Sequence, residues 1–115
     1  MDRKELGLQF TDAQNFTVYG TIPKDITRDL FDGRGVIPTN DLGEADDSYI
    51  CGEVQFMFNE ESGTLDEILI FPVYSYEDTL VNGEDFIAAP DWFRDFEDDA
   101  RQELYFNMED TKDGR

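Results

Sequence analysis

The sequence predicts an α+β domain in which an antiparallel β-sheet packs against two helices. Two neighbouring strand-like runs with a turn between them predict a central hairpin at about 49–73. A proline followed by apolar residues at helical spacing predicts a short helix at about 23–31. A second apolar stripe with spacings of three and four predicts a C-terminal helix at about 90–105.

The hairpin is the clearest of these elements. Residues 49–58 alternate between two faces, because successive side chains of a strand point to opposite sides. We expect one face to carry Ile50, Gly52, Val54, Phe56 and Phe58, and the other to carry Tyr49, Cys51, Glu53, Gln55 and Met57. Residues 59–63 form the predicted turn, and 64–73 the partner strand, with Pro72 at its end or at a bulge. The long apolar part of this second strand indicates a central place in the sheet.

Two further strands are predicted before the hairpin. Leu6, Leu8 and Phe10 alternate with a period of two, which favours a first strand. Residues 12–15 are typical of a turn, and 16–19 are rich in β-branched and aromatic side chains, which favours a second strand.

For the first helix, Pro23 is expected at the first helical position with Thr21 as its cap. Gly33 and Gly35 are expected to end it. Its apolar face is predicted to comprise Ile22, Ile26, Leu30 and Phe31.

Pro90 is expected to open the C-terminal helix, and 110–115 to fray as a polar tail. Its predicted core stripe comprises Phe93, Phe96, Ala100 and Leu104. Between the elements, 36–48 forms a long connection, while 74–83 contains an ambiguous segment that ends in a turn signal.

Composition predicts a single folded domain over 1–115. Hydrophobic residues make up 39% and aromatic residues 14% of the chain. Acidic chains that stay disordered are poor in aromatic residues, so this chain is expected to form a core. Its formal net charge of −19 nevertheless exceeds the magnitude of roughly 2–8 that keeps a small domain soluble.

The charge is unevenly distributed along the chain. Residues 35–93 contain 14 of the 28 acidic residues and none of the 9 basic ones. Such a stretch cannot neutralise itself through local ion pairs. Direct binding to nucleic acid or to an anionic membrane is disfavoured, because both require lysine and arginine.

The usual catalytic residues are missing. The chain has no histidine and one cysteine, Cys51, which we expect to be a buried thiol in a reducing compartment. No signal peptide or membrane-spanning run is present, so a cytoplasmic location is expected. The acidic run at 41–47 does not match a calcium loop. We therefore expect no enzymatic activity, no cofactor and no dedicated metal site.

The acidic side chains in the loops and on the C-terminal helix are the candidate functional residues. Carboxylates at helical or strand spacing rise about 6–7 Å, which is comparable to a row of duplex phosphates. The alternative for each is an ordinary solvated surface. The candidates are Asp41, Glu44, Asp46, Asp47, Glu60, Glu61, Glu77, Asp78, Glu84, Asp85, Asp91, Asp95, Asp98, Asp99 and Glu103.

In size, charge and retained core the chain resembles the small bacterial and phage DNA-mimic proteins. This class includes antirestriction proteins, anti-CRISPR proteins and proteins that bind the histone-like nucleoid protein HU. The resemblance rests on overall character and on no shared motif. It implies a monomer that binds the DNA-contacting surface of a basic DNA-binding protein, such as a nucleoid protein, restriction or CRISPR nuclease or repressor, and so blocks or modulates DNA binding.

Three other functions are also compatible with this net negative charge. One is an immunity or inhibitor protein for a basic nuclease toxin. Another is a salt-adapted acidic protein without mimicry, and a small enzyme that uses two carboxylates is the last.

Overall fold

A computed structural model of the chain describes residues 3–39, 42–45, 48–74 and 86–112. Five antiparallel strands form one sheet in which strand order follows chain order. The strands are β1 (Gln9–Gln14), β2 (Thr17–Pro23), β3 (Cys51–Phe58), β4 (Leu65–Val73) and β5 (Ile87–Ala88). The helices are α1 (Arg3–Leu6), α2 (Lys24–Arg34) and α3 (Glu97–Lys112), and a 3₁₀ helix (Asp91–Phe96) directly precedes α3. The predicted α+β fold is therefore confirmed.

The β3–β4 hairpin lies in the interior of the sheet, as its apolar pattern predicted. β3 is flanked by β2 and β4, and β4 by β3 and β5. The alternation is confirmed within β3, because Gly52, Val54, Phe56 and Phe58 are buried while the residues between them are half-buried. It is wrong for Tyr49 and Ile50, which precede β3: Tyr49 is buried and Ile50 is half-buried. Pro72 stays within the ladder opposite Gly52.

One face of the sheet carries the core. α2 packs on β2 and β3, and α3 packs on β1 and β2. The predicted stripe Phe93, Phe96, Ala100 and Leu104 is buried in this core, together with Val18, Ile22, Phe31, Val54, Phe56 and Ile70. Burial of these side chains is the main stabilising contribution to the fold.

The first hairpin turns later than predicted. Residues 12–14 belong to β1, and Asn15 and Phe16 form the two-residue turn, with Gln14 paired to Thr17. Both turn residues have positive φ, 51° and 66°, as a type I′ turn requires. The prediction was wrong because phenylalanine is an unusual residue at such a position. Its half-buried ring packs on the core, which compensates for the backbone conformation.

The helix boundaries differ from the predicted ones at both ends of α2. Thr21 lies in β2, and Pro23 is the residue before the helix, so Thr21 is not a cap. Gly33 lies within α2, and only Gly35 terminates it, in a left-handed conformation with φ of 71°. Ile22 is likewise a strand residue, but it still contributes to the core below the helix.

Two other local predictions were wrong. Leu6 ends helix α1 and only Phe10 of the predicted first alternation lies in a strand. At the other end of the chain, α3 continues to Lys112, beyond both the predicted end near 105 and the start of the predicted tail.

Candidate functional site

Two arginines bring two acidic segments of the chain together. Arg94, in the 3₁₀ helix, donates hydrogen bonds to the carbonyl oxygens of Leu65 and Asp66, both at 3.2 Å. Arg101, in α3, donates to the carbonyl oxygen of Gly63 at 3.0 Å. The start of the C-terminal helical segment is therefore fastened to the β3–β4 turn and to the beginning of β4.

This junction gathers exposed and half-exposed carboxylates at one end of the molecule. Glu60 and Glu61 lie in the turn, and Asp66 and Asp91 line the same shallow cleft of about 180 Å³. We call this set the acidic end; its members are Glu60, Glu61, Asp66, Asp91, Asp95, Glu97 and Asp98.

The arginines at the acidic end do not neutralise it. Arg94 contacts main-chain oxygens, and Arg101 forms a single ion pair with Glu97 at 2.7 Å. Within the described residues, no ion pair is formed by Glu60, Glu61, Asp95 or Asp98. A third arginine, Arg34, also bonds to the main chain, since two of its nitrogen atoms donate hydrogen bonds to the carbonyl oxygen of Ala88. These arginines stabilise the fold, and of the acidic end they neutralise only Glu97 among the described ion pairs.

A bulge explains why two consecutive acids of β4 are exposed. Met57 pairs with Glu67 and Phe58 with Leu65, which leaves Asp66 as an extra residue in the ladder. Both Asp66 and Glu67 are exposed, whereas regular alternation would bury one of them. Asp66, Glu67 and Glu97 were not among the candidates selected from the sequence. Two consecutive acidic residues, Asp66 and Glu67, in an otherwise apolar strand were the sequence signal that could have indicated the bulge.

The candidate residues selected from the sequence differ in their exposure and in their location in the fold. Glu60, Glu61, Asp91, Asp95 and Asp98 are exposed and belong to the acidic end. Asp99 and Glu103 are half-buried rather than outward, since α3 rests on β1 and β2. Glu44 is exposed on the connection after α2, outside the acidic end. The remaining candidates lie outside the described residues: Asp41, Asp46, Asp47, Glu77, Asp78, Glu84 and Asp85.

The axial spacing of the carboxylates along the C-terminal segment also differs from the α-helical spacing expected from the sequence. Asp91 and Asp95 belong to a 3₁₀ helix, which rises by about 2 Å per residue instead of 1.5 Å. Asp95 and Asp98 span the junction with α3, so their axial separation is about 5 Å. This value is still close to the spacing of successive phosphates, which rise by about 3.4 Å per strand and also wind around the axis.

Two groups away from the acidic end have perturbed acidity. Burial raises the pKa of Glu53, partly opposed by a 2.8 Å hydrogen bond from Gln55 Nε2. Burial and the negative charge of Glu53 raise the pKa of the Cys51 thiol. Cys51 is half-buried, not buried as expected, because it points to the side of the sheet away from the core.

The comparisons with known proteins give no further assignment. The chain matches no protein-family model, no curated protein and no solved structure. Among the described residues, no three His, Cys, Asp or Glu side chains are grouped to hold a metal ion. No helix in that part of the chain is long and apolar enough to cross a membrane.

Proposed function

We propose that this chain is a DNA-mimic protein. Its acidic end would occupy the DNA-contacting surface of a basic DNA-binding protein and block or modulate DNA binding there. The supporting observation is that Arg94 and Arg101 donate mainly to carbonyl oxygens, while the carboxylates of the acidic end other than Glu97 stay exposed. A surface of this kind presents negative charge on a fixed scaffold, as a phosphate backbone does.

Electrostatics supports the same function. With a net charge of −19, long-range attraction accelerates encounter with a basic partner and discriminates against acidic ones. The same charge repels a second copy, so the protein acts as a monomer. A cytoplasmic location agrees with a lone cysteine and with a partner that binds DNA. Neither catalysis nor a cofactor is required.

The experiment is a low-salt affinity capture followed by mass spectrometry, with duplex DNA added as competitor. We expect a basic DNA-binding protein to be captured, to be displaced by DNA and to dissociate as salt rises. Capture that resists both DNA and salt would contradict mimicry. If the captured protein is a nuclease toxin and its activity is neutralised, the immunity function is supported instead.

Matched variants locate the surface. The triple variant Glu61→Gln, Asp95→Asn and Asp98→Asn and the control Asp25→Asn, Asp29→Asn and Asp32→Asn on α2 each remove three negative charges, from −19 to −16. Loss of capture by the first variant alone is expected. Equal loss by both would mean that net charge, and not the acidic end, determines binding.

A further inference from the structure

The side of the sheet opposite the core has an unusual composition. Within the described part of the chain, no helix covers it. None of the five described strands contains lysine or arginine, and their charged side chains on this side, Asp12, Glu53 and Glu67, are all acidic. We call it the open face; its central residues are Thr17, Tyr19, Thr21, Cys51, Glu53, Gln55, Met57, Leu69, Phe71 and Val73.

Glu53 lies at the centre of the open face. Its cross-strand neighbours are Thr21 on β2 and Phe71 on β4. Gln55, two residues along β3, donates a hydrogen bond to Oε2 of Glu53 at 2.8 Å. The carboxylate is half-buried and no cation of the sheet lies beside it, which is costly for a charged group.

Apolar side chains lie on the β4 side of this carboxylate and farther along β3. Phe71 is only 8% exposed, and its ring contacts that of Phe86 with centroids 5.5 Å apart. Phe86 itself is 46% exposed, and Met57 and Leu69 are half-buried. A lone carboxylate within an aromatic and aliphatic surface matches a cation that also has flat or apolar parts.

We propose that the open face binds an arginine-bearing segment of a basic protein, with the guanidinium paired to Glu53 and its flanking apolar side chains on Met57, Leu69 and Phe86. This surface goes beyond the proposed function and does not depend on it. Glu67 lies where the open face meets the acidic end.

Charge complementarity selects this occupant. Arginine pairs with a carboxylate through two parallel hydrogen bonds and stacks on aromatic rings, whereas lysine offers a compact, strongly hydrated charge. A second copy of this chain is disfavoured, because a two-fold interface would place the same acidic face against itself.

The test uses a defined probe, the capped peptide Leu-Thr-Arg-Thr-Leu, whose leucines lie on the same side as the arginine when the peptide is extended. It is titrated into the ¹⁵N-labelled full chain and followed by NMR. The matched peptide carries citrulline, the neutral analogue of arginine, at its centre. We expect the largest amide shifts at Thr21, Glu53 and Phe71, with the arginine peptide binding about fivefold or more tightly than the citrulline peptide.

Variants separate the open face from the acidic end. Glu53→Gln keeps the shape and the bond with Gln55 and should weaken the arginine peptide by about fivefold or more. Leu69→Thr should weaken both peptides. Asp98→Asn, which removes one charge at the acidic end, should leave the affinity unchanged.

The proposal is overturned by any of four results. These are no binding at millimolar peptide, equal affinity for the two peptides, shifts centred on the acidic end, or equal losses in Glu53→Gln and Asp98→Asn. Concentration-dependent shifts of the open face without peptide would assign it to a second copy and would also overturn the proposal. Unchanged amide shifts in α2 and α3 establish that each variant is folded.

Discussion

Gly52 lies where helix α2 comes closest to the sheet. A Cβ atom at this position would lie 3.0 Å from Thr27 Cγ2 and 3.1 Å from Ile22 Cγ1, and would overlap Thr27 Oγ1. Thr27 is fully buried, and its hydroxyl donates to the carbonyl oxygen of Pro23 at 2.9 Å. The contact is therefore between a short, fixed side chain and the strand backbone, which leaves little room for adjustment.

We predict that Gly52→Ala destabilises the fold by about 1–3 kcal/mol through overpacking. Urea unfolding followed by circular dichroism measures the change. Gly33→Ala is the matched control, because Gly33 lies in α2 with nothing within 4 Å, and should be neutral or stabilising by about 0.5–1 kcal/mol. Adding Thr27→Ala to Gly52→Ala should cost less than the sum of the two single changes.

Glu53 gives a pH dependence of defined sign. Burial raises its pKa in the folded state, so the folded protein holds this proton to higher pH than the unfolded chain. The associated stability is complete below the unfolded pKa and is lost as pH rises through the folded pKa. Glu53→Gln removes this loss, so the stability of the variant relative to the native chain should increase from about pH 4 upward. A relative stability that falls with pH would contradict it.

The C-terminal helical segment is held to the hairpin by side chain to main chain hydrogen bonds. Arg101 combines the bond to Gly63, the ion pair with Glu97 and a cation–π contact with Phe58, whose ring centroid lies 5.5 Å away. Its side chain is 30% exposed, so solvent screens these contacts only in part. Arg94 supplies two further bonds to main-chain carbonyl oxygens about two turns earlier in the segment.

We predict that Arg101→Ala destabilises the fold by about 1–2 kcal/mol and accelerates hydrogen exchange in the β3–β4 turn. Arg28→Ala is the control, because its ion pair with Asp25 is exposed at both ends, 51% and 83%, and should change stability by less than about 1 kcal/mol. Similar effects of the two changes would mean that Arg101 does not fasten the turn.

At the scale of the whole molecule, repulsion between like charges opposes folding. The principal extents are 47 × 29 × 26 Å. At 0.01 M salt the Debye length is about 30 Å, so nearly all carboxylates repel one another, whereas at 1 M it is about 3 Å. The net charge of −19 is tolerated because the apolar core on one face of the sheet offsets it.

We predict that the midpoint of thermal unfolding rises by several degrees between 0.01 M and 0.5 M NaCl, and that the protein is still folded at the lower concentration. Circular dichroism in a dilute buffer measures both. Unfolding in low salt at room temperature would favour the salt-adapted alternative, because such a protein requires screening in order to fold.

The sequence by itself determined the elements whose signals are local. Alternation along β3 and the stripe from Phe93 to Leu104 were read correctly, because burial of one face repeats every two residues in a strand and every three or four in a helix. Net charge and the absence of histidine are likewise properties of composition. The turn at Phe16 escaped prediction because its conformation is maintained by packing on residues distant in sequence.

Only the tertiary structure decided which carboxylates lie together and which side of the sheet is left uncovered by the described helices. Arg94 reaches Leu65 across 29 positions of the sequence, and Arg101 reaches Gly63 across 38. Their acceptors are main-chain carbonyls, which every residue possesses, so no pattern of residue types marks the pairing. The composition alone gives the net negative charge. The arrangement of that charge into an acidic end depends on hydrogen bonds to main-chain carbonyl oxygens, which are the same in every residue.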